Sequence, residues 1–420
     1  MLSVPAAAQV TRPPEDLRLL LSDGTLRGSP RLMGLAGAFV GIAEGAEGIT
    51  RNPASAAYRD PHYEDFNVDF GGTMHFLFPG SAKEQDWNND GRPDQVEGPL
   101  GFLGSQVLYT TVSLQYKSFA LAAGLDTQNF ITKFAHPGFE TFYNLNLMHV
   151  SVSASVALWR DQLLFGMGIN TTHALLFHLR QAAGMPLPAF DESMGYHGWG
   201  VEFGGLWRPE GDNYRVGFSF RPKVQAYSAG PVPMKFGGDK TDPADDTFLV
   251  PPRQVVTPAR LSLGASFAFG EGGRDYNIGG PSGWVETGET EEDGTPKYSF
   301  SMTKWLLTAQ LDIFFPVDAA ISPAAFLDQS QTQYEIAGDQ AQFLLRLASE
   351  KEVIEDRLRL RLGTYFEPPI TPQGLKVRPH ICFGGEVKLF EIGSFRLAFG
   401  LSFDFAHRYN NLSIALMAWK

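Results

Sequence analysis

"FRLAFGLSFDFA", residues 395–406, decides the fold. Phe395, Leu397, Phe399, Leu401, Phe403 and Phe405 take one face of an extended chain, and Arg396, Ala398, Gly400, Ser402, Asp404 and Ala406 take the other. Successive side chains of a strand point to opposite faces, so the stretch makes one apolar face and one small or polar face. A strand in a soluble protein runs about five or six residues, whereas one that crosses a bilayer needs about 9–11. The length and the unbroken apolar face together point to a barrel strand in lipid. Phe66, Val68, Phe70, Met74, Phe76 and Phe78 repeat the pattern near the other end, opposite Asn67, Asp69, Thr73 and His75.

Working outward, the period of two recurs in fourteen segments: 64–78, 107–116, 119–126, 145–159, 162–172, 199–208, 214–227, 259–269, 303–315, 340–352, 357–366, 379–390, 395–406 and 411–419. An even number is what a closed up-and-down barrel with both ends on the periplasmic side requires. The connections alternate in length. Lys117-Ser118, Arg160-Asp161, "PEGDN" at 209–213 and "EIGS" at 391–394 fit periplasmic turns, and 79–106, 127–144, 173–198, 228–258 and 316–339 fit extracellular loops. The exception is 270–302, with the acidic "ETGETEEDG", which falls on the periplasmic side; it reads as a solvated, mobile insertion and a place for a periplasmic partner. The expected fold class is therefore all-β: an antiparallel transmembrane β-barrel of about fourteen strands over 63–420, with 10–62 as an N-terminal element of another kind. The rival is a secreted, soluble β-protein such as a propeller.

Composition agrees. The chain of 420 residues has 33 Phe, 13 Tyr, 7 Trp and 45 Gly but only 19% charged residues, below the quarter usual in soluble domains. Its net charge of −12 speaks against a nucleic-acid partner, which wants a basic face. Cys382 is the lone cysteine, so no intrachain disulfide forms. No apolar run approaches about 18 residues. No G-x-S-x-G elbow, P-loop or H-E-x-x-H is present, and the chain is not read as an enzyme. "MLSVPAAAQ", residues 1–9, reads as the remnant of a secretory signal, with a disordered tail as the alternative.

Residues 10–62 depart from the strand pattern. "PEDLRLLL" suits a short helix. "RLMGLAGAFVGIAEGAEGITRNPASAAYRDP", 31–61, is a run of small residues. Periodicity alone leaves it either a plain N-terminal cap or a plug inside the barrel.

Within it, "GLAGAFVGIAEGAEGITRNPA", with Gly37, Gly41 and the closing Asn52-Pro53-Ala54 just before the first strand, resembles the outer-membrane long-chain fatty-acid and hydrocarbon transporter family (FadL/TodX type). "TPARLSLGASF" at 257–267 is similar to that family's strand entry. The resemblance implies a fourteen-stranded barrel in the outer membrane of a Gram-negative bacterium, with the N-terminal segment folded inward as a hatch. It implies passive uptake of a hydrophobic small-molecule ligand, a fatty acid or hydrocarbon, which leaves sideways into outer-membrane lipid through a gap in the wall. The insertion at 270–302 and Trp419 standing one place before Lys420 depart from the family pattern, and no motif places a carboxylate-holding Arg or Lys on this sequence. The competing class is a non-transport barrel that anchors or partners surface or secreted proteins.

Three stretches carry candidate sites. "DWNNDGRPDQVE", 86–97, fits a calcium-loop pattern: Asp86, Asn88, Asp90, Asp94 and Glu97 offer hard oxygens, Arg92 its carbonyl, and Gly91 permits the sharp turn. The expected cofactor is a structural calcium ion; the alternative is an Asn/Asp/Gly turn without one. Loop 173–198 is apolar for a segment facing outward, and Leu175, Leu176, Phe177, Leu179, Met185, Leu187 and Phe190 form either a capture groove or packing in the barrel mouth. Arg357, Arg359 and Arg361 alternate with outward Leu358, Leu360 and Leu362. They hold either an anionic head group, through the guanidinium fork, or lumen acids such as Asp404. His173 and His178 are too irregularly spaced for a metal pair.

Overall fold

A computed structural model describes residues 9–11, 17–21, 26–58, 66–76, 85–92, 106–136, 139–182, 189–233, 235–237, 249–269, 276–277, 284–290, 296–300, 305–327, 333–354, 357–371, 376–392 and 395–418 of the chain. Fourteen strands form the wall: β1 Phe66–Phe76, β2 Gln106–Tyr116, β3 Phe119–His136, β4 Phe139–Leu158, β5 Leu163–Ala182, β6 Ala189–Trp207, β7 Tyr214–Arg221, β8 Arg260–Phe269, β9 Trp305–Phe314, β10 Gln342–Ile354, β11 Leu358–Glu367, β12 Arg378–Ile392, β13 Phe395–Ala406 and β14 Tyr409–Ala418. Each pairs antiparallel with the next, and β14 returns to β1 over Leu412↔Phe76 to Met417↔Gly71. The sheet is closed, so the ring leaves no edge strand.

Every one of the fourteen expected segments is a wall strand. Alternation does what the sequence requires of it: on β13, Ala398, Ser402 and Asp404 are buried within, while Phe405 faces out and stacks with Phe383 at 5.7 Å between ring centres. Tyr116, Phe119, Trp159, Trp207 and Trp305 stand exposed along the short-turn rim, the aromatic girdle of a membrane barrel. Among the described residues no helix is long and apolar enough to cross a membrane.

Two expected loops are strand instead. Residues 127–136, 139–144, 173–182 and 189–198 continue β3 to β6, which reach 18 to 20 residues. These upper halves bear apolar side chains on both faces, so the apolar/polar contrast fades although the ladder runs on. At the kinks Pro222-Lys223 and Pro258-Ala259 the chain leaves regular strand, yet Val224–Ser228 and Gln254–Thr257 keep the same register as β7 and β8 (Val224↔Thr257 above Arg221↔Arg260). "PEDLRLLL" is not a helix where it is described. Arg18–Leu20 is a strand, parallel to Gln254–Thr257 on one side and to Ala320–Ile321 on the other. Wedged between two strands, it gains ladder partners that a one-turn helix would lack. Within the insertion, Trp284–Thr290 and Pro296–Phe300 pair as antiparallel strands, and Tyr276 and Asn277 are buried against the wall.

Residues 26–58 are buried almost throughout. Ser29 caps the short helix Pro30–Gly34 by accepting from the Leu32 N–H, and Asn52 caps the 3-10 turn Pro53–Ala57 by accepting from Ala54. The Asn-Pro-Ala triplet thus has a physical reason: a side-chain acceptor at the cap and proline at the first position, where its missing N–H costs nothing. Asn52 also donates to the Val40 and Gly205 carbonyls at 3.2 and 3.1 Å, tying this segment to β6.

Glycines on the inner face let it lie close. A methyl on Gly217 would sit 2.1 Å from the Val40 carbonyl oxygen, and one on Gly166 would sit 2.3 Å from the Pro53 carbonyl carbon. Gly41 abuts Gly264 and Ala265 in the same way.

Candidate functional site

The barrel interior has two storeys. In the half away from the short turns, inward side chains of β3 to β6 (Phe130, Tyr143, Leu145, Leu147, Ala174, Leu176 and Tyr196) join Leu17, Leu19 and Leu21 in one apolar cluster. Trp87, Phe236, Phe326 and Leu327 from the connecting segments complete it. Nothing in the physics of a water-filled pore favours such a lining, since pore interiors are polar.

Toward the short turns the interior is ionic. Arg31 meets both oxygens of Glu350 at 2.9 Å, Glu44 at 2.8 Å and Glu47 at 3.2 Å. Arg215 meets Glu44 at 2.5 Å and lies 3.6 Å over the Tyr276 ring. Arg361 reaches Glu350 and Glu386, and Arg359 reaches Glu352 and Glu386. Charges of opposite sign buried together in a low dielectric hold strongly when every one is paired. Arg31, Glu44 and Glu47 belong to the inner segment and the others to β7, β10, β11 and β12, so the network fastens the segment to four strands.

The sequence-derived sites fare differently. Arg359 and Arg361 do face the lumen, with Leu360 and Leu362 outside. Their acids are Glu350, Glu352 and Glu386; Asp404 instead engages His380 at 2.9 Å and the Tyr365 hydroxyl at 2.8 Å. Arg357 is a correction: it sits exposed on the turn before β11 rather than in the lumen. Of the apolar set, Leu176 alone among the described members is buried inside. Leu175, Phe177 and Leu179 point the other way, and Phe190, exposed, meets Phe177 edge-on at 6.3 Å. A single groove from these residues is therefore not formed, because a hairpin alternates what a loop would gather. Met185 and Leu187 lie outside the described residues.

Around the acidic stretch, Asp86 accepts from the N–H of Asp90 and Gly91, and Asp90 accepts from Arg92. Gly91 has φ 87°, the left-handed turn expected of it, and Asn89 has φ 56°. Burial pushes the Asp90 carboxyl up to about 6, and the neighbouring Asp86 adds to this, while the Ser322 hydroxyl and the Arg92 N–H pull it down. Burial also raises Asp86. Asp94 and Glu97 lie outside the described residues, and among those described no three Asp, Glu, His or Cys side chains gather as a metal site.

Two features escaped the sequence reading. The charges Arg31, Glu44, Glu47 and Arg51 punctuate an otherwise small, apolar run, and buried charge demands partners. Inward glycines at 166, 204, 217 and 264 were likewise legible, since glycine inside a strand marks a close backbone approach.

The space between Leu20, Leu26, Phe314, Leu344 and Tyr365 amounts to about 40 Å³, whereas a dry cavity that admits benzene measures about 150 Å³. A second, outward-facing groove of about 740 Å³ runs along Phe165, Trp207, Val216, Phe218, Leu263 and Leu311.

No protein-family profile matches the chain, and no curated protein does. Solved structures share the fold. A FadL homologue from Pseudomonas aeruginosa is similar at 11% identity over 94% of this chain and 98% of its own, with a TM-score of 0.52. The Ralstonia pickettii toluene transporter TbuX is similar at 11% over 93% and 97%, with a TM-score of 0.51. The P. putida toluene transporter TodX is similar at 14% over 89% and 93%, with a TM-score of 0.50.

Proposed function

We propose that this barrel is an outer-membrane channel for the passive uptake of hydrophobic small molecules, long-chain fatty acids or hydrocarbons. The observation that carries the reading is the apolar storey: a lumen half lined by Leu, Phe, Tyr and Trp offers an apolar solute a path out of water. A barrel that served only as an anchor would have no use for it. Residues 26–58 act as the hatch, and the ligand bypasses the ionic storey by leaving through the wall.

The exit we assign is the seam between β6 and the kinked β7. Ladder pairs stop at Phe203↔Phe220 and resume only at His197↔Tyr227 with the register shifted by one. Gly200 lies in this seam, and a Cβ there would sit 3.9 Å from the Val224 Cβ, the spacing of a disulfide. Uptake of radiolabelled oleate and of toluene by vesicles should exceed that of protein-free vesicles. The pair Gly200→Cys with Val224→Cys should lose that excess when oxidised and recover it with reductant. Equal uptake with and without protein would refute the channel; uptake indifferent to the staple would move the exit elsewhere.

Calcium at 86–97 fits the same picture as a structural ion that orders the barrel mouth, supported by the Asp86 and Asp90 turn geometry. Affinity should be on the order of 10⁻⁴ to 10⁻³ M, as in extracellular modules. Protease cutting between residues 80 and 100 should be faster with chelator than with calcium, and Asp90→Ala should abolish the difference. Identical cutting under every condition would reduce the stretch to a turn. The strand pair Trp284–Thr290 and Pro296–Phe300 is the surface we assign to a periplasmic partner, and cross-linking from it in intact cells is the check.

A further inference from the structure

We infer that His173 and His197 form a binding site for a divalent transition metal on the outer face of the barrel, of the zinc, copper(II) or nickel class. The sequence gives no hint of it, because the two are 24 residues apart; β5 and β6 make them direct cross-strand partners, His173↔His197. Their Nδ1 atoms stand 2.6 Å apart and the rings meet edge to face, with centres 4.9 Å apart. His197 is exposed and His173 half-buried on the outer face.

The neighbours settle which nitrogen is free. Thr171 donates its hydroxyl to the Val150 carbonyl oxygen at 3.4 Å, which leaves the Thr171 oxygen as acceptor for His173 Nε2 at 3.1 Å. With its proton held on Nε2, His173 carries a bare lone pair on Nδ1, aimed at His197. Metal-ligating histidines are typically fixed this way, the distal N–H donated to a neighbouring group. Without metal, the lone pair accepts from His197 Nδ1–H. When a cation binds, that proton moves to His197 Nε2 and both Nδ1 lone pairs face the ion, with no net proton released. Two nitrogens each about 2.0–2.1 Å from one ion lie about 2.9 Å apart at a right angle and about 3.4 Å apart at a tetrahedral one. From 2.6 Å the pair therefore needs to open by about 0.3 Å for a right-angled site and by about 0.8 Å for a tetrahedral one. Imidazole suits zinc, copper and nickel, while magnesium and calcium prefer oxygen. Water fills the remaining positions. The ion would staple β5 to β6 just beside the irregular seam.

The test uses the full chain in detergent after chelation, with zinc as the probe. Carbethoxylation of histidines, read by peptide mass, should fall at least tenfold at His173 and His197 when zinc is added, with His407 on the β13–β14 turn unchanged. With copper(II), the electron paramagnetic resonance spectrum should carry hyperfine splitting from two nitrogens, reduced to one in His197→Ala. Thr171→Val should weaken binding about 10- to 100-fold, the usual cost of losing an orienting partner. Magnesium should protect neither histidine. No protection of the pair in the wild-type chain, or a copper spectrum identical in His197→Ala, would overturn the site.

Discussion

Arg31→Ala should unseat the inner segment and leave the barrel closed. Arg31 is buried and faces three carboxylates, Glu44 and Glu47 on its own segment and Glu350 on β10, at 2.8 to 3.2 Å. Removing the cation leaves negative charges confined with one another, and breaking a buried pair costs about 3–5 kcal/mol. The wall does not bear that cost, because its ladders are backbone bonds that Arg31 does not make. In planar bilayers the variant should therefore show sustained ion conductance where the parent shows little, while heat-modifiable migration on a denaturing gel is retained. Arg31→Lys should fall between, since a lysine keeps the charge but loses the fork that grips both oxygens of Glu350. Conductance equal to the parent's would mean that the ionic network does not seat the segment.

Gly217→Ala should loosen the same segment from β7. Its methyl would stand 2.1 Å from the Val40 carbonyl oxygen, a backbone atom that cannot swing aside as a side chain would. Overpacking of this kind costs about 1–3 kcal/mol, which at 1.4 kcal/mol per tenfold is roughly a 5- to 150-fold rise in amide exchange across residues 38–56. Gly166→Ala, against Pro53, should act alike. Gly72→Ala, with nothing within 4 Å of the new methyl, is the matched control and should leave exchange unchanged. A rise no larger than that of the control would show that the close packing is not what holds the segment.

The wall was legible because lipid on one side and lumen on the other impose a period of two that needs no tertiary information. Where both faces turn apolar, as at Phe130, Tyr143 and Leu176, the contrast disappears and strand reads as loop. The small-residue run at 31–61 announced close packing but not its partner, because the glycines that receive it lie on β5, β7 and β8, far along the chain. Pairing was the hardest to see. Arg359 and Arg361 read correctly as inward, yet their acids come from β10 and β12, and only the register of neighbouring strands decides that Glu386 rather than Asp404 lies within reach. The histidine pair hid for the same reason.

The inner segment has Leu17–Leu21 beside Gln254–Thr257, away from the short turns, and Pro53–Ala57 next to β5 and β6, which carries a kinetic implication. The ring shuts by joining its last strand to its first across more than three hundred residues, the kind of distant contact that forms late and slowly. Chains do not thread through closed loops, so this stretch must already be laid down when the ring shuts. It then works as a mould around which the strands zip. Weakening its grip should slow biogenesis and lengthen the life of open, aggregation-prone intermediates, a penalty visible in refolding rates even where the finished barrel is indistinguishable.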